Sequence, residues 1–146
     1  MGLYGFAIPE EYDGLGLNAY EEVQLVFELG YTTPAFQSLF GTNNGIAGHT
    51  ILEGGTEEQE RFCLPSSPPA KWVASFALSE PDAGSDPVSV RTRATRDGDH
   101  WVINGAKRYI TLPWLTYSWC SPVRPRARRR ARGVSAFIVP RDTPGL

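Results

Sequence analysis

The residues best placed for chemistry form one short run, Ser79-Glu80-Pro81-Asp82-Ala83-Gly84-Ser85-Asp86. Two hydroxyls and a glycine stand in it. A glycine lets a ligand or another backbone approach closely, and successive loop amides can form a nest for an anion. Three acids argue the other way, because Glu80, Asp82 and Asp86 would repel a phosphate. The Gly-Lys-Ser/Thr of a nucleotide-binding P-loop is missing, and Pro-Asp-x-Gly is good turn chemistry. On residue types alone the run reads as a surface turn between two strands. Other constellations are weaker. His49 falls in a helical stretch and His100 at a strand start, neither with the cysteine or carboxylate pattern of a metal site. No Gly-x-Ser-x-Gly exposes a nucleophilic serine, and no spacing among the carboxylates selects an acid–base pair. Cys63 and Cys120 lack CxxC or Cys/His spacing, which speaks against a disulfide framework or zinc and suits a cytoplasmic protein.

The elements that would position this loop change type along the chain. The first 63 residues read as helices. Asn18 with Glu21 forms a capping-box pattern before AYEEVQLVFELG, in which Val23, Val26 and Phe27 share one face. Gly30 suits a left-handed residue after that helix. Thr33-Pro34 opens a second helix, and Gly41, Gly45 and Gly48 make its continuation either broken or closely packed. Thr56-x-x-Gln59 starts a short helix. The period then turns to two. KWVASFALS is β-rich, and VSVRTRATR (88–96) alternates Val88, Val90, Thr92 and Ala94 with a polar, solvated face. HWVING ends in Asn104-Gly105, a strong hairpin signal, which makes AKRYIT (106–111) the next strand. SAFIVP (135–140) is another. The fold class is α+β: N-terminal helices, then a small antiparallel β-barrel or sheet.

Hydrophobic residues are 41% and charged residues 21% of the 146, enough to build a core and too apolar for wholesale disorder. No run approaches the ~18–20 apolar residues of a membrane helix, and the N-terminus has no secretory signal pattern. The net charge of −2 conceals a split, −10 over residues 1–100 and +8 over 101–146. Six arginines crowd SPVRPRARRRARG (121–133), a pattern that suits a polyanion-binding tail.

FALSEPDAGSD (76–86) resembles a signature of the acyl-CoA dehydrogenases, a family of FAD flavoenzymes. IPEEYDGLGL (8–17), GTEEQERF (55–62), RDGDHWVINGAKRYIT (96–111) and GVSAFIVPRDTPGL (133–146) look like further family segments in family order. The resemblance implies residues 1–70 as part of an N-terminal helical domain and 71–146 as a middle β-domain, with the family's C-terminal helical bundle missing. It implies FAD as cofactor. Leu78 would contact the flavin's pyrimidine end through its backbone, and Ser79 would bring a hydroxyl near N1. Ser85 would reach the FAD pyrophosphate and the adjoining substrate, with Gly84 letting the backbone approach. Tyr109 matches an aromatic position packed on the flavin, and Thr111 a threonine meeting N5. The acids of the loop would point away and fix it through its own amides.

The reaction so implied is α,β-dehydrogenation of an acyl-CoA thioester. A glutamate takes the α-proton while the β-hydrogen leaves as hydride, and the protein orients and polarises the cofactor. That glutamate belongs to the bundle, so no catalytic residue is assigned between Met1 and Leu146 and no metal is expected. The partners implied are an acyl-CoA, an electron-transfer flavoprotein and further copies in a dimer or tetramer, with no membrane. An acyl-CoA oxidase is the sister reading. Residues 112–132 depart from the family pattern, which a shifted reading frame in GC-rich DNA would explain. A genuine basic loop on phosphate or CoA, and a nucleic-acid-binding module through 124–132, are the alternatives. Arginines replacing a core strand would force the segment to loop out and expose a sheet edge. The chain by itself is then expected to hold FAD weakly or not at all, without activity.

Overall fold

Side-chain caps set the helix boundaries where the sequence places them. Asn18 Oδ1 accepts from the Tyr20 and Glu21 amides at 3.0 and 3.2 Å, and Glu21 Oε2 accepts from Asn18 N at 2.9 Å. This reciprocal box opens α1 (Ala19–Gly30). Thr33 Oγ1 and Pro34 open α2 (Pro34–Gly41), and a second box, Thr56 with Gln59, opens α4 (Glu57–Cys63). The computed structural model describes residues 2–64, 73–111, 117–123 and 134–146, the third of these as backbone alone. The arginines at 124–132 lie outside the described residues.

The end of α1 differs from the expectation. Gly30 is the last helical residue and not left-handed. Tyr31 closes the helix at φ −74°, its N–H donating to Glu28 O at 3.2 Å, while Thr32 donates to Leu29 O through its N–H at 3.0 Å and its Oγ1 at 2.6 Å. The terminal carbonyls are satisfied without a left-handed turn.

The glycine-containing stretch is packed, not broken. Thr42–Gly48 is a π-helical segment running from α2 into α3 (His49–Gly54). A Cβ on Gly48 would lie 2.7 Å from Ile8 Cδ1 and 2.9 Å from Asn43 O. Asn44 is 1% exposed. Its Nδ2 donates to Leu3 O at 2.8 Å and Phe40 O at 2.9 Å, and its Oδ1 accepts from Ala7 N at 3.5 Å. Asn43 donates to Tyr4 O at 2.8 Å and accepts from Ala74 N at 2.9 Å. Two neighbouring amides thus tie the N-terminal segment and the first strand to the helix.

That strand, β1 (Ala74–Ala77), lies beside β4 (Tyr117–Val123), and β4 beside β5 (Ser135–Pro140), in the order β1-β4-β5. The β1/β4 pair is parallel, Ala74 opposite Tyr117, and β4/β5 is antiparallel, Tyr117 opposite Pro140. The expectation that 112–132 loops out is therefore corrected for 117–123, which form the central strand here. The physical reason is local. The arginines begin at Arg124, beyond β4, and the strand itself is Tyr-Ser-Trp-Cys-Ser-Pro-Val, largely of β-prone types. Its register is irregular between Cys120 and Val123, where Pro122 brings no N–H to the ladder.

β2 (Arg93–Asp97) and β3 (His100–Asn104) form a separate antiparallel hairpin, Asp97 opposite His100. Gly98 at φ 58° supplies the positive φ of its two-residue turn. The expected alternation holds in burial, with Val90, Thr92 and Ala94 buried and Arg91, Arg93 and Thr95 exposed. The strand is nevertheless shorter than 88–96. Pro87–Ser89 is a 3-10 turn capped by Asp86, and the Arg91 and Thr92 amides are spent on a side chain described below.

Asn104-Gly105 turns no hairpin, and AKRYIT is not a strand. A Cβ on Gly105 would lie 2.3 Å from Thr92 Oγ1 and 2.7 Å from Thr92 Cα, so close packing selects this glycine. Tyr109 has φ 58°, which no strand accommodates.

Ile8, Ile51 and Leu64 form a buried cluster against which Tyr12, Leu52, Cys63, Phe76 and Ile138 pack, so helices and sheet share one core. Burial pushes the Cys63 thiol pKa up. Tyr12 Oη donates to Glu60 Oε2 at 2.7 Å, and that hydrogen bond, with burial, raises its pKa to about 12. The apolar face of α1 stays uncovered among the described residues: Val23 is exposed and Phe27 is 69% exposed.

Candidate functional site

β1 ends at Ala77 and hands the chain to Leu78 and Ser79 at the start of the acidic loop. Glu80 N donates to Ala83 O at 2.8 Å and Ala83 N to Glu80 O at 3.3 Å, closing a tight turn around Pro81-Asp82. The three acids then go to different places. Asp82 pairs with Arg91 at 2.8 Å on the surface. Asp86 accepts from Val88 N at 3.2 Å and from the Ser89 hydroxyl.

Glu80 turns inward. Its carboxylate accepts from Arg91 N at 2.5 Å, Thr92 N at 3.0 Å, the Thr92 hydroxyl, and Lys107 Nζ at 2.8 Å. The two charged side chains are only 3% and 12% exposed. Burial alone would raise the Glu80 pKa. Hydrogen bonds from Lys107, the Thr92 hydroxyl and the Arg91 and Thr92 amides outweigh it and hold the carboxyl near pH 2. The expectation that the acids fix the loop through its own amides is thus corrected for Glu80, which binds amides eleven and twelve residues away. A buried carboxylate needs several donors at once, and within the tight turn its own amide is already paired with Ala83 O.

Lys107 continues the arrangement. Besides Glu80 it donates to Leu78 O at 3.1 Å, and the next amide, Arg108 N, donates to Ser79 O at 2.8 Å. Segments 78–80 and 107–108 are thereby held side by side. Leu78 and Ser79 are half-buried, their carbonyls taken by these two donors. Tyr109 follows with left-handed backbone and is 86% exposed, the Arg108 guanidinium 5.6 Å from its ring centroid. Thr111 is half-buried, and Gly84 and Ser85 are exposed. No hydrogen bond or ring contact among the described residues ties Ser85 to Tyr109 or Thr111. The hydroxyls of Ser79, Ser85 and Thr111 have no protein partner among the described residues. A Cβ on Gly84 would meet no heavy atom within 4 Å.

This donor set fits an elongated, polar, partly aromatic ligand such as a flavin nucleotide. Hydroxyls without a partner among the described residues, an unobstructed glycine and an exposed aromatic ring lie on or next to the two segments, 78–80 and 107–108, that hydrogen bonds lock together. Sequence reading missed Glu80 and Lys107 as partners, and Asn43 and Asn44 as ties. No period or motif connects residues 27 positions apart, and an acid in a surface turn is ordinarily solvated.

Residues 1–67 match the family model "Acyl-CoA dehydrogenase, N-terminal domain", and residues 75–146 match "Acyl-CoA dehydrogenase, middle domain". The chain belongs to the acyl-CoA dehydrogenase family. It is 34% identical to isobutyryl-CoA dehydrogenase of Dictyostelium discoideum over 100% of its own length and 35% of that protein. Among solved structures it is similar to a glutaryl-CoA dehydrogenase from Mycobacterium smegmatis in complex with FADH2, with a TM-score of 0.87 and 32% identity over 99% of this chain and 36% of that one. It is also similar to the prolyl acyl carrier protein oxidase AnaB, at 0.89 and 31% over 99% and 39%. The chain thus spans little more than a third of the length of these relatives. Acyl-CoA dehydrogenases are FAD-dependent oxidoreductases, and the order of helices followed by sheet agrees with their N-terminal and middle domains. Among the described residues no helix is long and apolar enough to cross a membrane, and no group of His, Cys, Asp and Glu could hold a metal ion.

Proposed function

We propose that this chain forms the flavin-contacting part of an FAD-dependent acyl-CoA dehydrogenase acting on an acyl-CoA thioester. The observation that carries the reading is the locked pair of segments 78–80 and 107–108, beside which the Ser79, Ser85 and Thr111 hydroxyls have no partner among the described residues and the Tyr109 ring is 86% exposed. Bound FAD supplies the hydride acceptor of the α,β-dehydrogenation. The chain's residues bind and orient it: the Leu78 backbone and the Ser79 and Thr111 hydroxyls toward the flavin ring, Tyr109 against its face, Gly84 and Ser85 toward the pyrophosphate and the substrate's CoA end. Orientation of this kind lowers the barrier because the reacting atoms meet without further ordering. Residues 1–70 and 71–146 act as two domains across one core in this reading. No glutamate of this chain is assigned as the base.

The electrons pass to an electron-transfer flavoprotein, and the assembled enzyme is a homo-oligomer. An oxidase, passing them to oxygen, is the second reading, favoured by the similarity to a carrier-protein oxidase. Titrating FAD against the 146-residue chain tests the proposal. Weak, saturable quenching of flavin fluorescence is expected, reduced by Ser79→Ala and Thr111→Val, with no turnover of any acyl-CoA. Absence of saturable binding overturns the flavin assignment, and turnover overturns the assignment of no base to this chain.

A further inference from the structure

Tyr109 poses a question that its own contacts do not answer. A non-glycine residue at φ 58° is strained, because its Cβ crowds the following carbonyl oxygen. Such a conformation persists only where neighbouring structure over-determines it. Among the described residues the ring is 86% exposed, with the Arg108 guanidinium 5.6 Å from its centroid. The contacts among the described residues that fix this stretch come from the two residues just before it. Arg108 N is fixed to Ser79 O, and Lys107 Nζ is fixed twice, to Leu78 O and to the Glu80 carboxylate. Glu80 is in turn fixed by two amides and a hydroxyl from Arg91 and Thr92.

A buried ion pair is a poor way to gain stability, since well-packed apolar side chains of similar volume often serve as well or better. It is a good way to specify one arrangement, because a lysine displaced from this spot leaves a buried carboxylate unpaired. We propose that Glu80 and Lys107 are positioning residues: they clamp the 78–80 segment to the 107–109 segment, hold Tyr109 in its left-handed conformation, and so set the spacing of the two edges that grip the cofactor. The last clause rests on the flavin reading above. The clamp itself does not.

The test separates the two. In the full 146-residue chain, hydrogen exchange at the Arg108 amide is compared with exchange at α4 amides in the unaltered protein, Glu80→Gln, Lys107→Gln and Lys107→Arg. Glu80→Gln and Lys107→Gln are expected to speed Arg108 exchange at least tenfold relative to α4. Lys107→Arg, which keeps the cation, restores it to within about threefold. FAD affinity follows the same order, falling at least tenfold with Glu80→Gln. Where Glu80→Gln does not fold, Lys107→Gln, which keeps a donor and removes only the charge, makes the same comparison. Unchanged Arg108 exchange in the neutral variants overturns the clamp. A clamp that holds by exchange while FAD affinity is untouched overturns its role in spacing the cofactor edges. If the unaltered chain binds no FAD, the flavin reading fails and the exchange comparison still decides the clamp.

Discussion

Glu80 is the residue on which the loop's electrostatics turn. Its carboxyl sits near pH 2 in the folded chain, against an ordinary value of 4.5. A depressed carboxylate pKa adds stability that is fully present above about 4.5 and is lost as pH falls toward 2. The shift corresponds to ~3 kcal/mol. Urea unfolding followed from pH 6 down to pH 2.5 should show this loss, and Glu80→Gln should flatten that part of the profile while lowering stability at pH 6 by about 3 kcal/mol. Two glycines offer a sharper contrast. Gly105 faces Thr92 at distances no Cβ tolerates, so Gly105→Ala should destabilise by about 2 kcal/mol or more. Gly84 faces open space at a φ outside the left-handed region, so Gly84→Ala should leave the melting temperature unchanged or slightly raised. In the flavin reading the same substitution weakens FAD binding, and the combination of unchanged melting with unchanged FAD affinity would count against a role for Gly84.

At the scale of elements, the helices were legible because their signals are local. Asn18 with Glu21, Thr33-Pro34 and Thr56 with Gln59 each cap a helix through atoms two or three residues apart. The strands were only partly so. The alternation over 88–96 was visible, yet residues 91 and 92 do not join β2, because a distant carboxylate takes their amides. Asn104-Gly105 looked like a hairpin turn, and Gly105 instead answers to the approach of Thr92. The π-helical turn carries a comparable long-range tie. Asn44 is buried and serves Leu3, Ala7 and Phe40 through one amide group, so Asn44→Ala should cost about 2–4 kcal/mol in a thermal melt by orphaning those groups. Asn18→Ala, at an exposed cap, should cost about 1 kcal/mol.

For the whole molecule, one surface stands out. Ala19, Val23, Val26, Phe27 and Tyr31 border a groove of about 630 Å³ on α1, and an apolar patch of this kind favours association. Phe27→Glu should lower light scattering at high protein concentration and leave the melting temperature within about 1 °C, since Phe27 buries little to lose. The sequence by itself determined the helical caps, the change from helical to β period, and the segments that resemble the acyl-CoA dehydrogenases. Those are matters of residue type and short spacing. Only the tertiary structure decided that Glu80 is a buried partner of Lys107, that residues 105–111 leave the sheet, that Tyr109 is left-handed, and that 117–123 form a central strand. Each depends on hydrogen bonds or close contacts between segments far apart in the chain, and a buried charge or a spent amide takes its meaning from partners that no local pattern names.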